Sequence, residues 1–144
     1  MKFSFTIDPN ISLNYSETLL EITAYLNDPD GWGILFLPTS TNPDFRIRMC
    51  SDLNITKICG LPSGLSCAEM GGTHMYLNVD RWLHGASKSG LDLPNYRQYM
   101  VSHEVGHILG HGHTKCPGRG NPAPIMMQQT LGIGSCKPNT KIHK

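Results

Sequence analysis

At 144 residues the chain is long enough for one buried core and too short for two, so a single domain over residues 1–144 is expected. A formal net charge of +1 gives no reason to invoke a nucleic acid or an anionic membrane surface as partner. No apolar run approaches the roughly 18 residues needed to span a bilayer, and the 15 Gly and 10 Pro point to a loop-rich globule.

Phe3, Phe5 and Ile7 alternate with polar residues and predict a first strand that ends at Asp8-Pro9. The same alternation lacks the apolar core of a signal peptide. Leu19, Leu20, Ile22 and Leu26 predict a helix over Tyr15–Leu26 with one buried face, Ser16 as N-cap and Asn27 to Gly31 as its stop. The apolar run Trp32 to Leu37, ended by Pro38, predicts a buried strand. Phe45, Ile47 and Met49 alternate with Arg46 and Arg48 as in a half-exposed strand. Residues 50–72 carry Gly60, Pro62, Gly64, Gly71 and Gly72 and read as an irregular loop. His74 to Val79 reads as the next strand, and Trp82 to Leu93 as a connection. A helix is then expected from about Pro94 or Asn95 to Leu109, with Tyr96, Met100, His103 and His107 in one stripe. After His113 the chain reads as turns throughout, and Lys137, Lys141 and Lys144 as a solvated tail.

Five cysteines are many for a reducing compartment and favour an extracellular or particle-associated location. Cys59 and Cys67 flank the turn-forming Pro62-Ser63-Gly64, and Cys116 and Cys136 bracket a methionine segment, so two disulfides are predicted with Cys50 free. The alternatives are reduced thiols or a cysteine-held structural metal, which the lack of any C-x2-C pair disfavours.

The chemistry concentrates in His103-Glu104-Val105-Gly106-His107-Ile108-Leu109-Gly110-His111-Gly112-His113. On a helix His103 and His107 are i and i+4, so both imidazoles leave one face and can share a Zn²⁺ at about 2.0–2.1 Å. Glu104 lies beside them, within reach of a water rather than of the metal. Gly110 can take the left-handed conformation that ends the helix, and that reversal can swing His113 back as a third ligand. Three imidazoles leave a fourth position open, which marks a catalytic site. His111 falls between the required spacings and reads as a bystander.

The H-E-x-x-H-x-x-G-x-x-H spacing followed by Pro124-Ile125-Met126-Met127 resembles the metzincin zinc peptidases and their methionine turn. The stretch Tyr96 to Asn139, with HEVGHILGHGH, CPG, NPAPIMMQQT and CKPN, is similar to a family of small, mostly bacterial metzincin-like domains of unassigned function. Gly31-Trp32-Gly33, Cys59, Cys67 and Asn78-Val79-Asp80-Arg81-Trp82 resemble further landmarks of that family. The resemblance implies an α+β, zincin-like fold: a twisted mixed sheet packed on two main helices, with a short loop-rich C-terminal part carrying the methionine turn. It implies an edge strand near His74 to Val79 that lines the substrate, and Met126 as a soft floor beneath the ligand imidazoles. Astacin-like and serralysin-like members carry a tyrosine two residues after the methionine, where this chain has Gln128; Gln128 or Gln129 is then the candidate donor to an oxyanion.

The reading that follows is a monomeric zinc peptidase acting on a peptide or protein substrate. His103, His107 and His113 hold Zn²⁺, and Glu104 serves as general base. The rival readings are a zinc-stabilised non-catalytic structural or binding module of a larger assembly, and a hydrolase of cell-wall peptide amides.

Overall fold

The computed structural model describes residues 1–142; Lys144, part of the expected basic tail, lies outside them. Five strands form one sheet in the order β2-β1-β3-β5-β4. They are β1 (Lys2–Ile7), β2 (Leu37–Pro38), β3 (Phe45–Cys50), β4 (Cys67–Ala68) and β5 (His74–Asn78). The pairs β1–β2, β1–β3 and β3–β5 are parallel, and β4 runs antiparallel to β5. The helices are α1 (Tyr15–Leu26), α2 (Asp52–Cys59), α3 (Val79–His84) and α4 (Leu93–Ile108). The fold is therefore α+β with a mixed sheet, and the two long helices, α1 and α4, pack against each other.

The alternation in β1 and β3 buries Phe3, Phe5, Phe45, Ile47 and Met49 in the core with Met75 and Leu77 of β5. Ile22 and Leu26 of α1 and Val101 and Val105 of α4 complete it. The helices are joined by polar contacts as well. Arg97 pairs with Glu21 at 3.0 Å and stacks 4.5 Å over the Trp82 ring, and Gln98 Nε2 donates to Tyr25 O at 3.0 Å.

Several local expectations need correction. The N-cap of α1 is Asn14, not Ser16: Asn14 Oδ1 accepts from Glu17 N at 2.9 Å, while Ser16 already lies inside the helix. The run Trp32 to Leu37 is not a buried strand. Phe36 donates its N–H to Asn27 Oδ1 and accepts from Asn27 Nδ2, both at 2.8 Å, so a side chain takes the place of a neighbouring strand. Only Leu37–Pro38 pairs with β1, at an exposed edge.

Residues 50–72 are not wholly irregular. Ser51 caps α2 by accepting from Asn54 N, and Gly60, with φ 64°, closes it in the left-handed conformation that suits glycine. His74 to Asn78 is not an edge strand, because β4 covers it; the Cys59–Cys67 disulfide ties β4 to the end of α2. The connection expected after Val79 is partly helical. Asn78 Oδ1 caps α3 through Asp80 N and Arg81 N, and one 3-10 turn follows at Ser87–Ser89. The segment after His113 also holds one 3-10 turn, Gln129–Leu131.

Candidate metal centre

The site is built on α4. Asp92 Oδ1 accepts from Asn95 N at 3.0 Å and Pro94 sits in the first turn, which fixes where the helix begins. It ends where Gly110 adopts φ 96°. Gly110 N then bonds to His107 O and His111 N to Gly106 O, each at 2.9 Å, so the chain reverses over the last turn. Thr114 N bonds to Met126 O at 3.1 Å, which anchors the returning strand of chain just past His113.

This reversal brings His103, His107 and His113 together, with one potential ligand atom from each within 4.8 Å of the others. His107 Nε2 lies 3.1 Å from His113 Nε2. Two nitrogens on one tetrahedral Zn²⁺ would be separated by about 3.3 Å, so the donors stand at nearly the spacing such an ion demands. The other ring nitrogens are occupied: His103 Nδ1 donates to Ile125 O at 2.7 Å, and His107 Nδ1 to His111 O at 2.8 Å. A carbonyl can only accept, so both Nδ1 atoms carry the proton and both Nε2 lone pairs face the gap. Burial holds His103 down at about 3, against the opposing effect of its bond to Ile125, and burial followed by the His107 charge also lowers His113. Neutral imidazoles are what a divalent cation binds.

Glu104 is 3% exposed. Its Oε1 lies 3.9 Å from His103 Nε2 and 4.0 Å from His107 Nε2, and its Oε2 is buried without a hydrogen-bond partner among the described residues. Burial pushes this carboxyl up to about 8. A buried carboxylate oxygen with no partner costs several kcal/mol unless a cation or a water answers it (order of magnitude). The three open imidazole nitrogens and this orphaned oxygen all fit a divalent cation with a water beside it.

Pro124 to Met127 form a turn closed by Met127 N to Pro124 O at 2.9 Å. Met126 is buried there, against Gly106 of α4. Gln128 lines the same cavity as the histidines. Gln129 cannot serve as an oxyanion donor, because its side-chain amide is fully buried and bonded to Pro124 O, Asn139 O and Asn139 N. The side chain of His111 stays outside the cluster, stacked 4.5 Å from Trp32, but its carbonyl orients His107. Cys59–Cys67 and Cys116–Cys136 are disulfides; Cys50 is free and buried, and burial raises its thiol to about 11.

Sequence reasoning missed Tyr99 and the roles of Trp32 and Ile125. Tyr99 Oη donates to Met127 O at 3.0 Å and accepts from Gln129 N at 2.9 Å, while its ring packs 5.3 Å from His103. It thus braces the methionine segment against α4, and its i, i+4 relation to His103 was the available signal. Trp32 Nε1 donates to Ser102 O at 2.9 Å across 70 residues, a contact with no local signature.

Residues 5–142 match a family described as protein of unknown function (DUF3152). The chain belongs to that family. No curated protein matches the sequence of this DUF3152 member, whereas seven chains of solved structures match it. One is archaemetzincin from Methanopyrus kandleri, at TM-score 0.59 and 16% identity, covering 96% of this chain and 88% of that one. Another is archaemetzincin from Archaeoglobus fulgidus complexed with malonate, at TM-score 0.48 and 16% identity, covering 95% and 96%. The first likeness establishes a metzincin-like fold for the DUF3152 chain.

Proposed function

We propose that the protein is a zinc-dependent peptidase. The observation that carries this reading is the unpartnered Glu104 Oε2, buried beside three imidazoles whose free nitrogens converge. A structural metal site has no use for a buried carboxylate it does not ligate, whereas a hydrolytic one needs a base beside its water.

His103, His107 and His113 would hold the ion. When bound, Zn²⁺ supplies a Lewis acid that lowers the pKa of water toward about 7 and polarises a carbonyl. Glu104 takes a proton from the attacking water and returns it to the leaving amine. Ile125 O and His111 O fix the two helical imidazoles so that they do not rotate during the reaction. Met126 gives the ligand helix an apolar, polarisable floor, and Tyr99 keeps that floor at its distance. Gln128, on the cavity wall, is the remaining side-chain candidate for an oxyanion donor.

The test is zinc stoichiometry for the wild type and His113→Ala, run beside a mixed-peptide cleavage screen with and without a chelator. One zinc per wild-type chain and chelator-sensitive cleavage are expected, with Glu104→Gln keeping the metal and losing turnover. Cleavage that survives in Glu104→Gln would remove this residue from the role of base.

A further inference from the structure

The cavity beside the histidines, about 270 Å³, runs along the face of α4. His103, His107, Tyr96 and Thr130 all line it, and along α4 Tyr96 lies N-terminal to the two histidines. Tyr96 and His103 are seven residues apart, about 10 Å along the helix axis. The rest of the lining is mostly apolar, with Leu61, Leu65, Ala68 and Met100, and includes the neutral polar Ser66 and Gln128. Tyr96 Oη and Thr130 Oγ1 share a hydrogen bond of 2.7 Å. Two hydroxyls carry two donors and four acceptor lone pairs, so one mutual bond leaves a donor and acceptors unspent. No Lys, Arg or Asp lines the cavity among the described residues, and Glu104 beside the histidines is its only carboxylate. A charged side chain pushed against the hydroxyl pair would find no counter-ion, and a wholly apolar one would leave the pair desolvated.

We propose that the Tyr96–Thr130 hydroxyl pair makes this cavity a selector for a neutral side chain with an apolar body and a hydrogen-bonding tip, tyrosine above all, next to the scissile bond. The proposal rests on the peptidase reading above. Discrimination comes from the tip: a substrate with phenylalanine fills the same walls but leaves the hydroxyls of buried Tyr96 and half-buried Thr130 unanswered, which costs more than the methylene-sized differences an apolar pocket resolves.

The experiment has two arms. Zinc-loaded protein is assayed on matched peptides that carry Tyr, Phe, Leu, Glu or Lys on either side of the bond. In parallel, blocked Tyr and Phe dipeptide amides are titrated into zinc-loaded Glu104→Gln protein, with and without Thr130→Val. Tyr should exceed Phe by about tenfold in kcat/KM and in affinity. That ratio should fall to about one in Thr130→Val and in Tyr96→Phe, as the Tyr peptide loses its partner and the Phe peptide is relieved of an unanswered hydroxyl. Equal handling of Tyr and Phe by the wild type, or a tyrosine preference that persists in Thr130→Val, overturns the proposal. If no peptide is cleaved, the binding arm decides. A tyrosine preference abolished by Thr130→Val keeps the selector and ends the peptidase reading; equal or absent binding ends both.

Discussion

A β-carbon placed on Gly106 would collide with Met126 Sδ and approach Trp32 Cζ2 to 2.8 Å. Glycine between His103 and His107 therefore reflects close packing rather than backbone freedom, since the residue lies within α4. Gly106→Ala should cost about 1–3 kcal/mol through overpacking and should weaken zinc binding by displacing His103 and His107. Chemical denaturation and a zinc titration check both parts; an unchanged midpoint together with unchanged zinc affinity would mean that Met126 yields freely.

His111 and His113 should respond differently to truncation. His113→Ala removes a ligand and should lower zinc affinity by roughly 100-fold or more. His111→Ala removes only a ring stacked on Trp32 and leaves the backbone carbonyl that orients His107, so one zinc per chain should remain. Zinc stoichiometry measured with a competing chelator separates the two; an equal loss in His111→Ala would make its ring part of the site.

The metal-free protein should have an unusual pH profile. Glu104 is raised from 4.5 to about 8, so between these values the folded chain holds a proton that the unfolded chain has released, and stability falls as pH rises. His103 is lowered from 6.5 to about 3, so between these values the unfolded chain holds the extra proton, and stability falls as pH drops. The lowered His113 steepens the acid side. The two slopes oppose each other between about 4.5 and 6.5, where metal-free protein should be most stable. Thermal unfolding across pH 4 to 8 in a chelator measures this, and a midpoint that climbs steadily from pH 6 to 8 would contradict it. Zinc should reverse the alkaline loss, because a nearby divalent charge favours the deprotonated Glu104 carboxylate.

The Cys116–Cys136 bridge closes a loop of sequence separation 20 that contains the Pro124 to Met127 turn. Replacing both cysteines by serine should cost about 3 kcal/mol in the chain-entropy model. The loss should be smaller with zinc in excess, since the ion binds only the folded chain. Denaturant unfolding with and without zinc tests it, and a variant as stable as the wild type in both conditions would show that the loop is held by its other contacts.

Much of α4 was legible because its limits are written locally. Pro94 marks the start and Gly110 the reversal, and the i, i+4 histidines need no distant partner to share a face. The strands with strict alternation, Phe3 to Ile7 and Phe45 to Met49, were legible for the same reason. Helix α2 was not, since Ile55 is its only buried residue and an apolar stripe of one carries no period. Trp32 to Leu37 misled because hydrophobicity announces burial without naming what satisfies the backbone; here that is the side chain of Asn27, nine residues from Phe36. The roles of Ile125 and Trp32 are made by backbone carbonyls across the fold, and residue identity at either end gives no hint of them.

Strand β4 is two residues long, and it stands at the margin of the sheet where Cys67 and Ala68 also border the cavity. A ligand laid out along so brief a stretch gains only a couple of main-chain bonds, whatever its own length. Grip must then come from the one side chain that reaches into the hollow, so short molecules should be held nearly as firmly as long ones, and extending a ligand past its anchoring residue should bring little.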